Sequence, residues 1–235
     1  VKPLAHLQSQ ATPASPVSAL PVVETFHSLQ GEGLHMGRSA FFLRLAGCDV
    51  GCPWCDTKHS WPESAHPRRP LVELAAEAAR ARAEGAAFVV ITGGEPLQHD
   101  LAPLCEALAG SGLPLHLETS GVHRLSGRFA WITLSPKRHR PPLDTLLATC
   151  DELKVVVERP EDLAFAEAMA ARARSLRLEE ANSNANSTPE ADAGPVQLLQ
   201  PAWGQAEGER LAIAHVQRHP VWRLSLQTHK WLGVR

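Results

Sequence analysis

No stretch of this 235-residue chain approaches the ~20 consecutive apolar residues that a membrane-spanning helix requires, so no span is expected. No block of lysine and arginine exceeds a few residues, and 23 basic side chains stand against 25 acidic ones, which gives no reason to expect a nucleic-acid partner. The start lacks the continuous apolar core of a secretion signal; rich in Pro, Ala, Ser and Gln, residues 1–20 read as a disordered leader. Tyrosine is missing altogether, and no function follows from that gap. Internal repeats are absent too, and the length suits one sizeable domain with a full apolar core, residues 21–235.

Cysteine is also scarce, five in all, yet three of the five fall in one short loop, Gly47-Cys-Asp-Val-Gly-Cys-Pro-Trp-Cys-Asp56. Cys48, Cys52 and Cys55 are spaced C-x3-C-x2-C, with no fourth cysteine nearby. Three thiolates on a loop broken by Gly and Pro can hold three irons of a cubane [4Fe–4S] cluster. Clusters that only carry electrons are normally fully ligated by cysteine, so an iron without a protein ligand points to chemistry at the cluster. A disulfide would leave one of the three unpaired. Zinc would need a fourth ligand, which His59 could supply, and that alternative stays open on spacing alone. The cysteines, the missing secretion signal and an oxygen-sensitive cluster together place the chain in the reducing cytoplasm.

Short apolar runs at 40–46, 88–92, 115–118, 131–135, 153–157, 197–200 and 223–227 read as buried strands. Helical stretches at 71–83, 101–108, 143–148, 162–174 and 208–218 alternate with them, which argues for βαβ units around a parallel sheet. There are too few units for a closed eight-stranded barrel, so an open, partial (β/α)6 barrel is expected, with functional groups at the carboxyl ends of the strands. Residues 179–194 contain no large apolar side chain and read as a mobile surface insertion.

The run Thr92-Gly-Gly-Glu-Pro96 follows an apolar strand directly; its glycines let backbone approach a ligand closely, and Glu95 offers a carboxylate at the barrel mouth. A three-cysteine loop followed one βα unit later by Gly-Gly-Glu-Pro resembles the radical S-adenosylmethionine superfamily. That resemblance implies that the open iron chelates S-adenosylmethionine and that Gly93, Gly94 and Glu95 meet its amino group. Polar groups at later strand ends, in Glu118-Thr-Ser-Gly121, Ser135-Pro-Lys137 and Gln200-Pro201, are loop caps on their own. The resemblance adds Thr119, Ser120, Ser135, Lys137 and Gln200 to the cofactor contacts, together with Trp54 and Asp56 from the cysteine loop.

Further elements narrow the resemblance. Phe26-His-Ser-Leu-Gln-Gly-Glu-Gly33, Arg38-Ser-Ala-Phe-Phe-Leu-Arg-Leu-Ala-Gly47, Cys55-Asp-Thr-Lys58, Glu152-Leu-Lys-Val-Val156 and Leu226-Gln-Thr-His-Lys230 resemble the 7-carboxy-7-deazaguanine synthase family from about residue 22 onward. The family's reaction is conversion of 6-carboxy-5,6,7,8-tetrahydropterin to 7-carboxy-7-deazaguanine and ammonia, a carbon–nitrogen lyase step towards 7-deazapurines such as queuosine. Leu29, Gln30, Gly31, Glu32, Arg44, Thr92 and the terminal Arg235 are then expected at the substrate, and Thr57 at a Mg²⁺ ion. The resemblance also implies a homodimer and an electron-donating protein, flavodoxin-like or a ferredoxin. Arg44 lies in a strand that is apolar on both faces, where an unpaired charge is costly, and its fork suits a carboxylate better than lysine does. Glu32 could accept from the amino and N–H groups of an aminopyrimidinone, and Gln30 could both donate and accept.

Two rivals remain at this level: a glycyl-radical enzyme activase, which needs neither the Gln-Gly-Glu turn nor Arg44, and a non-catalytic metal-binding regulator, which needs a fourth protein ligand. His215 and His219 stand at i, i+4 but without the Glu of an H-E-x-x-H motif, and read as helix-end residues that complement the dipole. Cys105 and Cys150, among Leu and Ala, read as small core residues.

Overall fold

The structure, a computed structural model, describes residues 18–183 and 194–235. Its strands are β1 (Ala19–Leu29), β2 (Ser39–Leu45), β3 (Arg68–Pro70), β4 (Val89–Gly93), β5 (Leu115–Thr119), β6 (Trp131–Leu134), β7 (Glu152–Val157), β8 (Val196–Pro201) and β9 (Trp222–Leu224). The helices are α1 (Leu71–Ala83), α2 (Ala102–Ala109), α3 (Asp144–Thr149), α4 (Pro160–Ser183), α5 (Ala206–Arg218) and α6 (Thr228–Leu232). One sheet runs β3-β1-β2-β4-β5-β6-β7-β8-β9. Its pairs from β2 to β9 are all parallel, while β1 joins antiparallel to β2 and β3. β3 and β9 remain as separate edges, so the barrel is open, as expected. The six α/β units hold seven parallel strands, because no helix intervenes between β5 and β6.

The two-residue period of the strands sorts side chains onto two faces. Phe41, Leu43, Val89, Ile91, Leu117, Leu153 and Val155 point outward into the main core, which Leu74 of α1, Leu104 of α2, Ala170 of α4 and Ala212 of α5 complete. Truncating Leu74 to Ala would cost about 2–5 kcal/mol, because the side chain is fully buried. The inward face carries a floor of Phe42, Phe88 and Val90, with Phe26 stacked on Phe42 at 4.9 Å. Above that floor the inward positions turn polar. Register sets Arg44 beside Thr92, Glu118 beside Thr133 and Val156 beside Gln200 at successive strand ends.

Several boundaries differ from the sequence expectation, three of them with consequences. Ala19 and Leu20 belong to β1 rather than to a leader, since Leu20 is buried and Ala19 and Leu20 pair with Pro70 and Arg69; residues 1–17 lie outside the described part. α4 continues through 179–183, where the insertion was expected to begin. Glu and Ala extend an existing helix at one hydrogen bond per residue with no new nucleation cost. The rest of that segment, 184–193, lies outside the described residues. The last strand stops at Leu224, and residues 225–227 turn inward before α6. Among the described residues, no helix is long and apolar enough to cross a membrane.

Candidate active site

Two adjoining cavities open at the carboxyl ends of the parallel strands. The first, of about 500 Å³, is lined by Cys48, Cys52 and Cys55 and by all ten residues expected at the cofactor: Trp54, Asp56, Gly93, Gly94, Glu95, Thr119, Ser120, Ser135, Lys137 and Gln200. The cysteine loop is tied down from outside. Asp49 accepts from His123 Nε2 at 2.9 Å and Arg140 at 2.8 Å, and His139 Nε2 lies 3.1 Å from the Val50 carbonyl. All three thiols are free, as are Cys105 and Cys150, which are buried and line neither cavity. Burial pushes the Cys48 and Cys52 thiols up, and the charge of neighbouring cysteines adds to the rise. Thiols crowded in this way suit a cationic iron–sulfur core that holds them as thiolates. His59, the candidate fourth zinc ligand, does not line this cavity.

Glycine at 93 and 94 is dictated by packing. A Cβ at Gly93, whose φ is +140°, would lie 2.1 Å from the Leu45 carbonyl oxygen, and one at Gly94 would lie 2.2 Å from that of Gly47. The strand end can therefore sit directly on the cysteine loop, with Glu95 N donating to Gly47 O at 2.8 Å. The Glu95 side chain is buried and accepts from Thr119 Oγ1 at 2.5 Å, from Ser120 N at 2.8 Å, from Ser120 Oγ and from Leu97 N at 3.1 Å. The hydroxyls of Thr119 and Ser120 thus reach the cavity wall while bracing the Glu95 carboxylate. Lys137 Nζ donates to the carbonyl and hydroxyl of Ser135 at 2.8 and 2.7 Å, and burial lowers its pKa.

The second cavity, of about 470 Å³, is lined by all seven residues expected at the substrate: Leu29, Gln30, Gly31, Glu32, Arg44, Thr92 and Arg235. Thr57, Asp56, Gly93 and Glu118 line both cavities, so the two meet at the cysteine loop. Thr57 Oγ1 stands 3.4 Å from Cys55 Sγ, and Asp56 pairs with Lys230 at 2.6 Å. Arg44 is not an edge residue reaching solvent, because β2 is flanked by β1 and β4. Its Nε donates to Glu24 Oε1 at 3.0 Å, and no hydrogen bond to the described residues engages its terminal nitrogens. Glu24 also pairs with the Arg235 guanidinium, and the Arg235 carbonyl accepts from Ser28 Oγ at 2.6 Å.

Glu32 is strongly conditioned by its neighbours. Burial raises its pKa, but the Lys154 ammonium, in direct contact, and hydrogen bonds from Lys154, Gln227 and Gln200 outweigh burial and lower it to about 2. Lys154 is opposed by burial but held above the ordinary lysine range by Glu32, Glu118 and Glu152. At neutral pH Glu32 is therefore an acceptor-only carboxylate. Gln30 is oriented by two contacts: its Oε1 accepts from Glu32 N at 3.1 Å, and its Nε2 donates to Glu118 Oε1 at 3.0 Å. Thr92 Oγ1 donates to the other Glu118 oxygen at 2.8 Å.

Sequence reasoning gave no site role to Lys154, Glu118, Gln227 or Glu24, although the first three lie in motifs named above. Lys154 could have been found by the argument applied to Arg44, since it is a charge within the otherwise apolar run 153–157. Gln227 carried no such signal; it arrives by the turn after β9. Far from both cavities, Glu167 joins His215 and His219, but its Oε1 already accepts from His215 at 2.8 Å and Trp222 Nε1 at 2.7 Å and so locks α4 to α5 and β9.

Three thiols facing a Gly-Gly-Glu strand end at the mouth of an open parallel barrel define a radical S-adenosylmethionine enzyme, and the family model "Radical SAM superfamily" matches residues 43–128. The chain is 52% identical over 224 residues to the 7-carboxy-7-deazaguanine synthase of Prochlorococcus marinus, covering 92% of this chain and 99% of that one. It is 35% identical to the synthase of Escherichia coli over 91% of this chain and 98% of that one. The crystal structure of QueE from Escherichia coli superposes with a TM-score of 0.70 at 32% identity, covering 88% of this chain and 93% of that one. The chain belongs to the 7-carboxy-7-deazaguanine synthase family.

Proposed function

We propose that this protein converts 6-carboxy-5,6,7,8-tetrahydropterin to 7-carboxy-7-deazaguanine with release of ammonia. The observation that carries this reading is the pairing of a three-thiol cavity with a second cavity in which an ionised carboxylate, Glu32, and an arginine fork, Arg44, are both present. Glu32 accepts from the amino and N–H groups of the aminopyrimidinone, and Gln30 adds an oriented amide beside it. Arg44, steadied through its Nε by Glu24, offers its terminal nitrogens to the substrate carboxylate as a two-pronged donor. Thr57, at the junction of the cavities, is the residue for a Mg²⁺ ion that meets substrate oxygen, since Mg²⁺ takes few protein ligands.

When bound, the [4Fe–4S] cluster and S-adenosylmethionine would supply a radical for hydrogen abstraction from the substrate. Cys48, Cys52 and Cys55 hold that cluster, Glu95 faces the cofactor ammonium, and the strand-end residues fix the geometry between cofactor and substrate. The working form is a homodimer in the reducing cytoplasm, receiving electrons from a flavodoxin-like protein or a ferredoxin. Anaerobic incubation of cluster-loaded protein with the carboxy-tetrahydropterin, dithionite and S-adenosylmethionine should give 7-carboxy-7-deazaguanine by mass spectrometry. Alanine at Cys48, Cys52 or Cys55 should abolish cluster absorbance and product, whereas Cys105→Ala and Cys150→Ala should keep both. A cluster-loaded wild type that cleaves the cofactor but makes no product would overturn the substrate assignment.

A further inference from the structure

Beneath the substrate cavity, towards the amino ends of the strands, lies a small enclosure walled by Glu32, His35, His116, Trp131, Glu152 and Lys154. Three polar atoms of its walls make no hydrogen bond of good geometry among the described residues, His35 Nε2, Trp131 Nε1 and Glu152 Oε1, although Trp131 stands close enough to Glu152 to lower its pKa. A buried polar atom left unpaired is costly, so three around one cavity call for an occupant. The space for the centre of a water-sized occupant is about 10 Å³, which admits one water molecule and nothing larger.

The protonation pattern selects the same occupant. His35 Nδ1 lies 2.8 Å from Arg38 NH1, and a guanidinium can only donate, so the imidazole proton sits on Nε2 and faces the enclosure. Trp131 is also donor-only. Burial raises the Glu152 pKa and the Lys154 charge opposes the rise; two N–H donors and the acceptor oxygen of Glu152 match a water that accepts twice and donates once. An ammonium ion would meet two donors, and an anion would meet Glu152. The rings hold this arrangement: His35 packs edge-on to Trp131 at 4.6 Å and tilted on His116 at 4.8 Å.

We propose that Glu152 is a positioning residue for substrate recognition, acting through a single water bound between its Oε1, His35 Nε2–H and Trp131 Nε1–H. The second oxygen of Glu152 accepts from Leu34 N at 2.9 Å, and Gly33 N donates to Ser225 Oγ at 3.0 Å. A Cβ at residue 33 would lie 2.4 Å from Glu152 Oε1, so the turn rests directly on this carboxylate. Residues 33–35 continue without a break from Gln30-Gly-Glu32. The carboxylate and its water therefore set the height at which Glu32 and Gln30 meet the substrate. The inference rests on the substrate assignment above.

Glu152→Gln keeps an acceptor for Leu34 N but turns an N–H2 towards two N–H donors, which expels the water. The substrate KM should rise about tenfold, equivalent to roughly 1.4 kcal/mol, with kcat and the S-adenosylmethionine KM unchanged. Trp131→Phe, which removes one donor and keeps the ring, should raise the substrate KM less. Substrate-independent cleavage of S-adenosylmethionine to 5′-deoxyadenosine, measured on the same samples, should match wild type in both variants. A high-resolution crystal structure of the wild type should show a water within about 3.2 Å of all three atoms. A dry enclosure, or variants whose substrate KM is unmoved or whose cofactor KM rises equally, would overturn the proposal. Failure of the wild type to turn over the pterin would instead count against the functional reading, so the two failures are distinguishable.

Discussion

Lys154→Met removes the cation on which Glu32, the carboxylate proposed to face the substrate, depends. The Lys154 and Glu32 side chains are 6% and 18% exposed and in direct contact, so the remaining carboxylate would lose its counter-charge without gaining water. The drop of the Glu32 pKa from 4.5 to about 2 is worth roughly 3 kcal/mol at 1.36 kcal/mol per tenfold. Breaking one partner out of a buried pair costs about 3–5 kcal/mol, in the same range. With burial unopposed except by Gln227 and Gln200, the Glu32 pKa should climb above the ordinary carboxylate value. The substrate KM of the variant should then rise as pH falls from 8 to 6, because a protonated carboxyl cannot accept twice, while wild type stays flat. Anaerobic urea unfolding gives the stability, and the pH series of steady-state assays gives the KM. Glu32→Gln combined with Lys154→Met should recover most of the lost stability but not turnover, since the added amide N–H2 opposes the donors of the pyrimidine. A Lys154→Met enzyme with wild-type stability and a pH-independent KM, or a double variant no more stable than the single one, would refute the argument.

Arg44→Lys keeps the charge but must choose between Glu24 and the substrate; losing the fork at about 1.5–3 kcal/mol should raise the substrate KM some ten- to hundredfold with cofactor binding intact. Equal discrimination by both enzymes against a decarboxylated substrate analogue would remove Arg44 from carboxylate recognition. Glu95→Ala should weaken S-adenosylmethionine binding in a titration and also lower stability by about 1–3 kcal/mol, because Thr119, Ser120 and Leu97 lose their common acceptor. An unchanged cofactor affinity would leave Glu95 a brace between β4 and β5 alone. His116 is pushed down to about 4, first by burial and then by the charges of His35 and Arg38. The unfolded chain therefore binds a proton below pH 6.5 that the folded one refuses, and stability should fall by roughly 3 kcal/mol between pH 6.5 and 4. His116→Phe should flatten that window in anaerobic unfolding curves, and an unaltered slope would assign the loss to other groups.

The Gln30–Glu32 turn stood out only through the family resemblance, whereas the local patterns sufficed for the cysteine loop, the Gly-Gly-Glu strand end and the run of βα units. Each of these is written in consecutive residues, by spacing, by apolar period or by the need for glycine at a close backbone approach. Arg44 stood out for a similar reason, as a charge in a strand with no polar face. β1 and β3 were not legible, because neither has a clean apolar period and each is held by antiparallel pairing, β1 to the next strand β2 and also to β3. The extent of α4 was misjudged because helix extension depends on a preceding helix and not on the burial of the added residues. What only the tertiary structure decided is which distant groups answer each other: Lys154 beside Glu32, Glu24 beside Arg44, Gln227 turned in after β9, and Thr119 and Ser120 closing on Glu95. Those partners are separated by tens to hundreds of residues, and no periodicity links them. Sequence specifies which side chains face inward on each strand, but strand order and register alone bring a particular acid to a particular base, and that proximity sets the charge state on which the proposed substrate recognition rests.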